Sequence, residues 1–80
     1  MEKQQIDELT KLIDMSLHNI DSLIDIKEAR FTCGAYLKII KSAEYEFMLA
    51  SIVIPEHKLR KYNIYKDKYK TMWGKLPWEQ

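Results

Sequence analysis

The chain has 80 residues, a formal net charge of +1 at pH 7, 46% hydrophobic residues and 31% charged residues. This balance excludes a disordered chain, and the length allows one domain with a small core. The longest apolar run, residues 47–54, is far shorter than the ~20 residues needed to cross a bilayer, so we expect no membrane span.

The cysteine, glycine and proline content indicates the cellular location and the fold class. Cys33 is the only cysteine, which excludes a disulfide within the chain, and no basic-then-apolar leader opens the sequence. We therefore expect a cytoplasmic protein. Two glycines and two prolines leave little material for turns, which favours a few long helices over many short strands.

The first predicted helix covers residues 3–23. Only Ser16 interrupts an apolar face formed by Ile6, Leu9, Ile13, Ile20 and Leu23. The opposite face carries a stripe of Asp14, His18, Asp21 and Asp25. Its steps of three and four residues would suit a divalent ion. A stripe opposite the apolar face should instead be solvated, with nothing to orient the ligands, so we predict no metal site.

The second predicted helix covers residues 26–53 and carries a heptad seam, in which steps of four and three residues alternate. The members of the heptad seam are Ala29, Cys33, Tyr36, Ile40, Ala43, Phe47 and Ala50. This helix is longer than the first and apolar on more than one face, which a three-helix monomer could not easily cover. We therefore predict that the heptad seam is the interface of a homodimer.

Two further signals concern the start and the packing of this helix. Asp25 followed by Glu28 resembles an N-cap with its capping-box acid. No glycine marks this turn, however, so one bent helix through residues 24–26 is an alternative. Gly34 should cost about 1 kcal/mol relative to Ala inside a helix. Because its neighbours in the seam are small, we interpret Gly34 as a site of close helix–helix contact.

Pro55 ends the second helix, and a third helix is predicted over residues 56–73, with Gly74 as its terminator. Residues 75–80 form a short tail. The expected fold is all-α: a helical hairpin with the third helix packed across it, in a single domain of residues 1–80.

The third helix combines aromatic and basic residues. One stripe of it contains Tyr62, Tyr65, Tyr69, Met72, Trp73 and Leu76, and we interpret this stripe as its core face. Residues 55–75 hold seven bases and two acids, against four bases and seven acids in residues 1–30. The predicted partner-binding residues are Lys58, Arg60, Lys61, Lys68, Lys70 and Trp78. Pairing of the acidic first helix with the basic third helix, within a subunit or across a dimer, is a second interpretation of the charges.

No pattern in the chain indicates catalysis or a cofactor. The sequence has no glycine-rich phosphate loop, no serine nucleophile motif and no paired Cys or His at zinc spacing. We predict a non-enzymatic interaction protein, a regulator or inhibitor that occupies a surface of a larger protein partner. The alternative is a nucleic-acid-binding module that uses the basic, aromatic helix from Lys58 to Lys75.

Overall fold

A computed structural model describes residues 1–79 as a bundle of three α-helices, with no strand in that range. The helices are α1 (Lys3–Leu23), α2 (Arg30–Leu49) and α3 (Glu56–Trp73), and single 3-10 turns cover Lys27–Ala29 and Pro77–Glu79. The all-α prediction is confirmed, and α1 and α3 span the predicted residues. Of the predicted tail, residue 80 lies outside the described residues.

The connection between α1 and α2 is a real break. The amide of Ile24 donates to the carbonyl of Ile20, and the amide of Ile26 donates to the carbonyl of Leu23, which closes α1. A 3-10 turn then leads into α2, so the alternative of one bent helix is wrong. The predicted Asp25 cap is also wrong, because Ala29 precedes α2 and makes no side-chain cap.

The other end of α2 comes four residues before the predicted end at residue 53. Ser51 adopts a left-handed conformation with φ of 56°. Its amide donates to the carbonyl of Met48, and the amide of Ile52 donates to the carbonyl of Phe47 at 2.9 Å. This pair of bonds is a Schellman motif, which satisfies the last carbonyls of the helix and turns Ile52 back onto the core.

We expect Ser51→Gly to raise the free energy of unfolding by about 0.5–1 kcal/mol, because glycine adopts left-handed geometry without the steric cost that serine carries. Urea denaturation followed by circular dichroism measures the change. Ser51→Ala is the matched control and should give no gain. A glycine variant no more stable than the parent would contradict the strain assigned to Ser51.

The core lies where the three helices meet, and α1 and α2 form its most extensive contact. Its buried apolar side chains are Ile13, Leu17, Ile20, Ile24, Cys33, Leu37, Ile40, Ala43, Phe47, Ile54, Tyr62, Tyr65 and Tyr69. Four central members of the heptad seam, Cys33, Ile40, Ala43 and Phe47, belong to this set. The predicted dimer interface is corrected accordingly: α1 and α3 leave no room on that face for a second chain.

Gly34 is a site of close helix–helix contact, as predicted from the small residues beside it in the heptad seam. It is buried, and a Cβ atom built there would lie 3.1 Å from the Tyr69 hydroxyl oxygen and 3.4 Å from Pro77. The missing side chain lets α3 and the C-terminal turn (Pro77–Glu79) pack directly on the backbone of α2.

Candidate functional site

The aromatic stripe of α3 faces the core. Tyr62, Tyr65 and Tyr69 are buried, and Trp73 is partly buried against them. The Tyr65 hydroxyl donates to the Asp21 carboxylate at 2.7 Å, and the indole nitrogen of Trp73 donates to a backbone carbonyl before α2 at 3.1 Å. These rings hold the helices together and are not free to stack on bases.

The hydrogen bond between Tyr65 and Asp21 carries a pH dependence. Burial, followed by the hydrogen bond and the negative charge of Asp21, raises the pKa of Tyr65 from 10.0 to about 12. Burial and the nearby Glu44 raise the pKa of Tyr62 as well. Both shifts favour the neutral phenol in the folded state, so above pH 10 folding binds protons and stability falls as pH rises.

We therefore expect the free energy of unfolding to be independent of these groups below pH 10 and to fall between pH 10 and about 12. Urea denaturation across that interval measures the loss. Tyr65→Phe removes one titrating group, so its stability curve should fall less steeply over the same interval. A parent curve that stays flat up to pH 12 would refute the assignment.

The basic side of α3 is partly neutralised by α1. The Lys58 ammonium lies 2.8 Å from the Asp14 carboxylate, and the lysine side chain is only 16% exposed. Asp14 and Asp21 line a surface cleft together with Lys61. The interpretation that the acidic and basic helices pair within a subunit is confirmed for Lys58 and Asp14. The expectation that the acidic stripe is solvated is confirmed, since Asp14, His18, Asp21 and Asp25 are all exposed. Asp14 and Asp21 nevertheless each contact a side chain of α3, Lys58 and Tyr65 respectively.

The predicted partner-binding residues do not converge on one surface. Arg60 pairs with Glu56 at 3.0 Å on the outer side of α3, and Lys68 lines a groove with Asp25 on the edge facing α1. Lys70 lies in a different groove, with Lys66 and Leu76. The set is therefore spread around the helix.

Trp78, the sixth predicted partner-binding residue, lies against the subunit. It packs on the core with partial exposure, and the Lys41 ammonium lies 4.4 Å from the centre of its ring. Pro77, just before it, is buried. The tryptophan packs beside α2, which leaves only part of its ring for a partner.

Residues 1–79 offer few side chains suited to bind a metal ion or to act as a nucleophile. In that range no group of three or more His, Cys, Asp or Glu side chains could hold a metal ion. Cys33 is buried, and burial raises the pKa of its thiol, which makes it a poor nucleophile. None of the helices in this part of the chain is long and apolar enough to cross a membrane.

Four large apolar side chains are exposed on the outer side of α2, which was not among the predicted binding surfaces. Phe31 is 89% exposed, Met48 and Leu49 are each 63% exposed, and Tyr45 is 56% exposed. A second heptad pattern runs along this face in steps of 4, 3, 4, 3 and 4. We call it the outer seam; its six exposed members are Phe31, Ala35, Lys38, Ser42, Tyr45 and Leu49.

Grooves of mixed character border the outer seam on both sides. Beside their apolar residues, Glu28, Arg30 and Lys38 line the first, and Lys38, Ser42 and Glu46 line the second. Between α2 and the C-terminal turn, the first groove is lined by Phe31, Gly34 and Pro77. Between α1 and α2, the second groove is lined by Leu12 and Ile39. The outer seam is therefore a ridge between two grooves, a shape that suits an approaching helix.

Comparison with known proteins assigns no family to this fold. No protein-family model, curated protein or solved structure matches the chain. What the protein does must therefore be inferred from the chemistry of its exposed surfaces.

Proposed function

We propose that the protein is a small, non-enzymatic, cytoplasmic interaction protein that regulates or inhibits a larger protein by occupying one of its surfaces. The observation that carries this proposal is the exposure of Phe31, Tyr45, Met48 and Leu49 on one helix face. Each Å² of apolar surface removed from water contributes about 25 cal/mol. Several large apolar side chains left in solvent on one side of a helix are typical of a binding surface.

Two observations favour a protein partner over a nucleic acid. Lys58 and Arg60 already pair with Asp14 and Glu56, which reduces the charge available to phosphates. The tyrosines of α3 that would stack on unpaired bases are buried. The homodimer expected from the sequence is part of this proposal, with its interface on the outer seam in place of the buried heptad seam.

Affinity capture from the native host tests the proposal. We expect the parent protein to retain a larger protein and Phe31→Glu/Leu49→Glu to lose it, because the variant places charges where apolar contact is needed. Both side chains are exposed, so the circular dichroism spectrum should not change.

Lys61→Glu/Lys68→Glu is the matched control, with two charge changes on the opposite side of the subunit, and it should keep the partner. If the control loses the partner and the outer-seam variant keeps it, the binding site lies on α3.

Titration with oligonucleotides at two salt concentrations distinguishes a protein-binding function from the alternative, a nucleic-acid-binding module. Binding that weakens steeply with salt would support a nucleic-acid-binding module instead.

A further inference from the structure

We infer that the outer seam binds a second copy of this chain, with the two α2 helices antiparallel about a two-fold axis at the level of residue 40. This inference rests on the proposed function of that face: the second copy covers the outer seam in the free protein, and the larger partner competes with it for the same side chains. The outer seam is a heptad pattern, the spacing with which two helices pack side by side along their length. Every member of it is exposed in the subunit.

Side-chain sizes along the outer seam are complementary when one copy is reversed. Reversal about residue 40 places Phe31 against Leu49 of the second copy, and the small Ala35 against Tyr45 of the second copy. A large ring opposite a small side chain fills the space between helices without overlap. Each contact occurs twice, because a two-fold interface presents the same patch from both subunits.

Apolar residues on either side of the outer seam also contact the second copy in this arrangement. Met48 of the second copy lies near the level of Gly34, beside the groove that Gly34 lines with Phe31 and Pro77. Methionine is flexible and fills irregular apolar spaces of this kind. On the other flank, Ile39 meets Ile39 of the second copy near the axis. The pairing thus covers apolar residues beyond the seam itself.

Charge selects the antiparallel orientation over the parallel one. In the antiparallel pair, Lys38 lies one turn from Glu46 of the second copy in one direction and one turn from Lys38 of the second copy in the other. The two-fold axis repeats the contact between Lys38 and Glu46, so two attractions between unlike charges stand against one repulsion between lysines. Within residues 1–79 neither Lys38 nor Glu46 forms an ion pair in its own subunit. A parallel pair would instead place Lys38 beside Lys38 and Glu46 beside Glu46. Charges at the edge of paired helices set their orientation in this way.

Sedimentation equilibrium of the full chain at micromolar concentration is the first test. We expect twice the subunit mass of 9.6 kDa, and a species of 9.6 kDa would overturn the inference. Phe31→Glu/Leu49→Glu should raise the dissociation constant about 30-fold or more, as expected when hot-spot side chains are lost. An unchanged dissociation constant would place the interface elsewhere.

Disulfide crosslinking tests the orientation. Ala35 and Tyr45 of opposite copies face each other only in the antiparallel pair, in which each lies about 15 Å along the axis from its own counterpart. A mixture of Ala35→Cys and Tyr45→Cys chains, oxidised and run on a non-reducing gel, should therefore give a crosslinked dimer, while each variant alone gives little. Native Cys33 is buried and serves as the unreactive internal control. Crosslinking of each variant with itself would show a parallel pair and overturn the inference.

A charge exchange tests the ion pair. Lys38→Glu and Glu46→Lys should each raise the dissociation constant several-fold, and the double variant should restore it. A double variant that is weaker than both single variants would contradict the pairing of Lys38 with Glu46.

The failures of the inference and of the proposed function are distinguishable. A monomeric parent whose captured partner is lost in Phe31→Glu/Leu49→Glu would refute the second copy and leave the interaction surface in place. A dimeric parent whose outer-seam variant still captures a larger protein would support the second copy and move the partner site elsewhere.

Discussion

Tyr69→Ala should lower the free energy of unfolding by about 3–5 kcal/mol, the loss typical of a fully buried aromatic ring. Tyr69 is 2% exposed and joins α3 to α2. Its hydroxyl reaches the space beside Gly34 on α2, and its ring centre lies 4.7 Å from that of Trp73. Since a domain of this size has a total stability on the order of 5–10 kcal/mol, the variant should be near its unfolding limit.

Urea denaturation of Tyr69→Ala beside Tyr69→Phe measures this prediction. The phenylalanine variant keeps the ring and should lose far less stability than the alanine variant. An alanine variant with parental stability that no longer captures a partner would show that the stripe of α3 is an interface and not core.

The helices were the most predictable part of the fold, because their boundaries have local causes. The ends of α3 follow from Pro55, whose fixed φ suits the residue that begins a helix, and from Gly74, whose φ of 89° suits a residue without a side chain. The extent of α1 follows from a single apolar face that only Ser16 interrupts. Local chemistry of this kind can be read from neighbouring residues alone.

The end of α2 could not be predicted in the same way. Residues 47–54 are apolar nearly throughout, which suggested a continuing helix, and Ser51 is not a residue that signals left-handed geometry. What ends the helix is the packing of Ile52 on the core, a tertiary contact. Tertiary packing can override local preference, and no local pattern reveals where.

The candidate site was missed for a related reason. A heptad pattern shows that a helix face is suited to packing, but it does not show whether the same chain or another chain covers it. Lys38 and Ser42 interrupt the apolar character of the outer seam, so the heptad seam on the opposite face appeared the stronger interface. Exposure of Phe31 and Leu49 became apparent only once α1 and α3 were placed on the other side of α2.

The Ala43→Glu variant tests whether the heptad seam of α2 is core or dimer interface. Ala43 is 2% exposed in the subunit, so a glutamate there would place an unpaired charge against α1, at a cost of about 3–5 kcal/mol. We expect the variant to lose most of its helical circular dichroism signal and its cooperative unfolding transition. Ser42→Glu is the control, one residue away and exposed on the outer seam, and its subunit should stay folded. If Ala43→Glu instead gives a folded monomer from a dimeric parent, the heptad seam is the dimer interface after all, and the outer seam loses its assignment.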